Sequence, residues 1–244
     1  MRAMKFLPVA SLCALLGACA SAPPPPKPTA QPMPGWDKQK IARSRAKRVS
    51  VQGIEGTLTA YDVRDTMDRR GEELGACYAT TVERIPRIAG RAEFAIHVLR
   101  DGTVGAASYE HADLGDRELE ACVLDVVRGT KFPEPHGGEA DVKWAMVLES
   151  ETPGPGPEHW EPEKVRRVVN KRAAKLREYC ELPAPGPTYR ITAYVNRRGR
   201  VVSAGVISDV QDVVEHLDCI AEGVRKWRMP RPKEKLAKVS FDVR

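Results

Sequence analysis

The sequence predicts an α+β protein built from two tandem two-layer domains. Each runs helix, strand, strand, helix, strand, with a three-stranded antiparallel sheet covered on one face by two helices. Three observations lead there: a repeat at constant spacing, a hydrophobic period that alternates between helical and extended along each copy, and a Pro/Gly run between the copies. When Gly102 is set against Gly199, Cys122 meets Cys219, Pro133 meets Pro230 and Val142 meets Val239, all at an offset of 97 residues. The match continues through Val98 with Val195, Val104 with Val201, Val127 with Val224 and Trp144 with Phe241.

In the first copy, Val63, Met67 and Leu74 mark the apolar side of a helix running to about Arg84, with Asp62 placed as its N-cap. Phe94, Ile96 and Val98 alternate with Ala95, His97 and Leu99 as a strand. Asp101-Gly102 supplies a hairpin turn, and Thr103 to Tyr109 return. Asp116 starts a helix through Leu119, Val123 and Val127, which ends before Phe132-Pro133 because the residue preceding proline disfavours helix. Val142, Trp144, Met146 and Leu148 alternate in the last strand. Three strands with one apolar face and two helices to cover it make a two-layer sandwich. The second copy repeats the order from Val165, Val169 and Leu176 through Ile191, Ala193 and Val195, the turn at Arg198-Gly199, the helix around Cys219, and Val239, Phe241 and Val243. The first copy spans 50–152 and the second 160–244, separated by a linker over 153–159 that opens with Pro153-Gly154-Pro155-Gly156-Pro157.

Ahead of the repeat, Arg2 and Lys5 precede an apolar stretch from Phe6 to Leu16, the order of a secretory signal over residues 1–18. That stretch falls short of the roughly 20 apolar residues that cross a bilayer. Leu16-Gly17-Ala18-Cys19 resembles a bacterial lipobox, which makes Cys19 the expected site of lipidation. Two or three acyl chains anchor durably where one does not. Ala20 follows, and a residue other than Asp there points to the outer membrane, where the domains are expected to face the periplasm. Residues 19–49 combine the proline run Pro23 to Pro26 with Lys38, Lys40, Arg43, Arg45, Lys47 and Arg48, a basic tether reaching at most roughly 90 Å in polyproline geometry.

The net charge of +6 hides opposite halves. Residues 50–152 carry 11 basic against 20 acidic side chains, and residues 153–244 carry 19 against 12. The basicity is local, so no nucleic-acid partner is expected.

After Cys19, four cysteines remain in a chain bound for an oxidising compartment. Each copy holds one in its first helix and one in its second, and both helices lie on the same sheet face, which selects Cys77 with Cys122 and Cys180 with Cys219 among the three possible pairings. Aligning Val63 with Val165 and Leu74 with Leu176 sets Cys180 opposite Tyr78, about 100° round the helix from the position of Cys77. No CxxC pair exists and the five histidines are scattered, so no metal or cofactor is expected.

The first copy holds Cys77-Tyr78, Pro86-Arg87-Ile88-Ala89-Gly90, Asp101-Gly102-Thr103-Val104, Leu114-Gly115-Asp116, Ala121-Cys122 and Phe132-Pro133-Glu134-Pro135 before Gly137-Gly138. This ordered set resembles the AgmX/PglI C-terminal domain, a relative of the TonB C-terminal domain. The resemblance covers residues 56 to 149; the second copy is a degenerate version that lacks the Pro-x-x-x-Gly loop. The resemblance implies a role in gliding motility or envelope assembly, no catalytic residues, and partner binding by pairing a strand with a short peptide. It leaves a TonB-like transducer component as an alternative, and the cysteines of an exported chain leave a periplasmic thiol-disulfide enzyme as another.

No nucleophile with its base, paired carboxylates or phosphate loop stands out. The acids Glu110, Asp113, Asp116, Glu118 and Glu120 around His111 sit at a helix start, where capping and solvation explain them. The expected protein is therefore a non-enzymatic, lipid-anchored envelope binder or scaffold. Its candidate face for an unidentified envelope partner is the basic cluster Trp227, Arg228, Arg231, Lys233, Lys235 and Lys238.

Overall fold

In the computed structural model, which describes residues 56–150, 153–208, 210 and 214–244, mixed α+β structure begins at Thr59 with a helix cap. Cys19, the signal and the basic tether lie outside the described residues. Thr59 Oγ1 accepts the Asp62 N–H at 3.1 Å while the Asp62 carboxylate accepts the Thr59 N–H at 3.2 Å. This reciprocal box starts α1 (Ala60–Arg69), and Asp62, expected at the cap, is its third-residue partner. Asp62 begins the acidic first turn, which is why the sequence places the cap there.

The first helix is also not continuous. Arg70 leaves helical geometry (φ −89°, ψ 4°) and α2 restarts at Gly71–Arg84. Glycine at the break lowers the cost of leaving the helix. Next come β1 (Gly90–Val98), β2 (Val104–Ala112), α3 (Arg117–Arg128) and β3 (Ala140–Leu148). Asp116 caps α3 by accepting the Leu119 N–H at 3.0 Å. The three strands form an antiparallel sheet in the order β2-β1-β3. On its covered face Phe94, Ile96 and Val98 meet Met67, Leu74, Val123 and Val127. Its other face carries Arg91, Glu93, His97, Asp141 and Lys143, none of them buried.

The second half adds β4 (Glu158–Trp160), a short 3-10 turn, α4 (Arg166–Tyr179), β5 (Tyr189–Asn196), β6 (Val201–Ser208), α5 (Val214–Arg225) and β7 (Leu236–Val243). Its sheet has four strands in the order β4-β7-β5-β6. The extra strand β4 pairs parallel to β7, Glu158 with Ala237 through Trp160 with Val239, and begins two residues inside the stretch read as linker. Three residues are too few to show a period, so the sequence pattern could not reveal it. Burying Trp160 against Val165, Val239 and the rest of the second core fastens the strand.

Several local features recur 97 residues apart. Gly102 and Gly199 both take positive φ (82° and 71°) in the hairpin turns, where glycine avoids a Cβ clash. Their N–H groups donate to Leu99 O and Asn196 O at 2.8 Å, and Phe132 and Met229 donate back to Gly102 O and Gly199 O at 2.9 Å. The pairing irregularities at His97/Val98 and Tyr194/Val195 match as well.

One difference between the sheets matters most. In β5 and β6 the residues between the core positions are buried too: Thr192, Tyr194, Ser203 and Ile207 are at most 6% exposed. Tyr194 and Ile207 belong to the first half's hydrophobic cluster. The second sheet is therefore covered on both faces, by α4 and α5 on one and by the first half on the other, and it lacks the polar alternation of a one-sided sheet.

Candidate functional site

The cysteines are joined as Cys77–Cys122 and Cys180–Cys219, with Cα–Cα separations of 5.8 and 5.7 Å. Both separations fall in the range a disulfide spans. Cys77 lies inside α2, whereas Cys180 is the C-cap of α4 (φ −96°, ψ 10°), just past the last helical residue. Leaving helical geometry there lets Cys180 reach Cys219 despite the one-residue offset.

The basic cluster is not one surface. Trp227 is 5% exposed and stacks on Phe241 at 6.0 Å between ring centroids. Lys238 is 4% exposed, its Nζ donating to Ala89 O at 2.8 Å and Asp113 Oδ2 at 2.9 Å. Arg228, Arg231, Lys233 and Lys235 are exposed. Lys238 sits on the second face of β7, which strand alternation alone would leave to solvent and which the first half covers.

That junction holds the most unusual polar chemistry among the described residues, and the motifs Pro86 to Gly90 and Leu114 to Asp116 converge on it. Tyr194 donates its hydroxyl to Ala89 O at 2.7 Å and accepts the Ala89 N–H at 3.1 Å. Ser203 Oγ lies 2.8 Å from Gly115 O and 2.7 Å from Asp116 Oδ2. Asp116, fully buried, also accepts from the Arg84 guanidinium at 3.0 Å. Close approach depends on glycine: a Cβ on Gly205 would overlap the Glu120 carboxylate, and one on Gly115 would lie 2.7 Å from the Tyr194 ring.

Glu120 differs from the solvated capping acid its place in the sequence suggests. It is 1% exposed, and its Oε2 accepts the Val206 N–H of β6 at 2.7 Å. Burial pushes its carboxyl up to about 7, against the hydrogen bonds from Val206 and Gly115 and the Arg117 charge. Burial likewise lowers Lys238, with Asp113 opposing, and raises Tyr194. Beside the junction a cleft of ≈ 420 Å³ opens between His111, Asp113 and Arg190. Its arginines are already paired, Arg190 with Asp242 at 3.1 Å and Arg91 with Glu93 at 2.8 Å.

The second feature is a sheet edge. The outer edge of β7 is taken by β4. The outer edge of β3, its counterpart 97 residues earlier, has no strand beside it among the described residues. Against it lies a groove of ≈ 660 Å³ between α1 and β3, lined by Leu58, Val63, Val142 and Trp144 together with the charged Arg64, Asp68, Asp141 and Lys143. Trp144, half-buried, stacks on Phe94 at 5.2 Å and presents its remaining surface there. By contrast β6, the other edge of the second sheet, is met by the Glu120 carboxylate.

Among the described residues no group of three or more His, Cys, Asp or Glu side chains could hold a metal ion, and no helix is long and apolar enough to cross a membrane. Comparison with family models, curated proteins and solved structures gives no match.

Proposed function

We propose that the chain is a lipid-anchored binding module of the cell envelope, a tandem of TonB C-terminal-like domains that acts by contact and not by catalysis. The observation that supports this best is the asymmetry between two equivalent edges. β7 is completed by β4 with Trp160 packed beneath it, while β3 stands open next to a groove with an apolar floor and charged walls. An extended segment of an envelope protein adding to β3 would complete the same four-stranded arrangement, its main chain supplying affinity and a side chain entering the groove over Val63 and Trp144. Lipid on Cys19 and the basic tether would set the module's distance from the outer membrane.

The titratable groups in unusual surroundings support a structural use, since Asp116, Glu120 and Lys238 are each committed to bonds across the junction. The disulfides close each half and leave no free thiol among the described residues for exchange chemistry.

The test is photo-crosslinking in intact cells with a benzophenone side chain at Lys143, facing out from β3, and at Glu83 on α2 as control. A discrete protein adduct from position 143 that is missing from position 83 is expected. Adducts from position 83 alone would remove the β3 edge as the contact.

A further inference from the structure

We infer that α4 is a docking surface for an anionic lipid bilayer. The helix carries six cations between Arg166 and Arg177 and a single acid, Glu178, at its end. Core-facing Val169 and Leu176 fix its orientation, and at 100° per residue Arg167, Lys171 and Lys175 then form a stripe on the opposite side. All three are exposed, and none is in an ion pair among the described residues.

Like charges four residues apart repel along a helix, so the stripe works against the helix that carries it. Several cations on other helices have acidic partners. Arg69 pairs with Asp65, Arg84 with Glu118 at 2.9 Å and Arg117 with Asp218 at 2.8 Å. The corresponding helix of the first half, α2, has the opposite character, opening with Glu72 and Glu73. The uncompensated charge is therefore a property of α4 and not of the repeat.

A second feature favours a bilayer over an acidic protein. Tyr179, the last residue of α4, is 63% exposed, and Lys226 from the end of α5 lies over its ring at 5.2 Å. An exposed aromatic ring with a cation over it suits the headgroup layer, where amphipathic rings settle while Lys and Arg meet the phosphates. This inference does not depend on peptide binding at β3 or on acylation, since the charge and the ring are carried by α4 and α5 alone.

The test uses the full chain with Cys19→Ala, so that no acyl chain contributes, and compares partitioning into phosphatidylcholine vesicles with and without 30% phosphatidylglycerol. The ratio of the two cancels whatever the apolar N-terminal stretch adds to both. Each cation at such a surface is worth about fivefold in partitioning. The triple variant Arg167→Gln, Lys171→Gln, Lys175→Gln is therefore expected to lower the ratio on the order of 100-fold, with no loss of melting temperature. The tether cations, present in both proteins, leave this comparison untouched. An unchanged ratio overturns the inference. So does a variant that keeps its vesicle binding while losing affinity for polyglutamate, which would assign the face to an acidic protein instead.

Discussion

Replacing Glu120 by Gln should remove a pH dependence of stability that the junction imposes. The carboxyl moves from its ordinary value of 4.5 in the unfolded chain to about 7 in the fold, because burial disfavours its charge more than the Val206 and Gly115 N–H groups and Arg117 favour it. A raised acid contributes stability that is whole below pH 4.5 and is lost as pH rises to about 7, since the unfolded chain gives up its proton first. At about 1.4 kcal/mol per pH unit, the loss attached to Glu120 is on the order of 3 kcal/mol. Urea unfolding of the oxidised chain at pH 4.5 and pH 8, for parent and Glu120→Gln, measures it. His97, raised by its hydrogen bond to Asp141, also lowers stability as pH rises, but it is common to both proteins and drops out of the difference. The parent should lose about 3 kcal/mol more than the variant across this range. Equal losses would refute a buried, proton-holding Glu120 at the junction.

Other perturbations test the remaining elements. Cys77→Ala with Cys122→Ala opens a link between residues 45 apart in sequence and should cost about 4 kcal/mol of chain entropy, read as a lower urea midpoint. Trp160→Ala should cost roughly 3–5 kcal/mol and release β4, so amide exchange in β7 should accelerate; unchanged exchange would mean β4 is not held by its tryptophan. Gly115→Ala places a side chain at φ +77° and against Tyr194, with an expected destabilisation of about 2 kcal/mol or more in thermal melts.

How much of this was legible in the sequence depends on which signal each feature leaves. The repeat spacing, the hairpin glycines, the helix start at Asp116 and the cysteine pairs are written in residue identities at fixed intervals. β4 is not, because three residues carry no period. The break at Arg70-Gly71 was readable in principle from the glycine but is masked by apolar residues continuing on both sides. The second covered face did leave a trace: 97 residues on, Tyr194 in β5 stands where β1 has His97, and Ile207 in β6 stands where β2 has Glu110. Reading that contrast would have predicted the junction and removed Lys238 from the surface cluster. Glu120 was misread because an acid in the first turn of a helix is ordinarily solvated, and only tertiary packing against β6 buries it. The open β3 edge has no signature of its own and emerges only by comparison with the completed edge of β7.

The most direct test of a lipid-anchored, disulfide-closed module is the intact mass of the protein extracted from membranes, with and without reductant. A chain beginning at Cys19, heavier by two or three acyl chains and gaining about 4 Da on reduction as two disulfides take up four hydrogens, is expected. An unacylated chain, or a mass that reduction leaves unchanged, would contradict it.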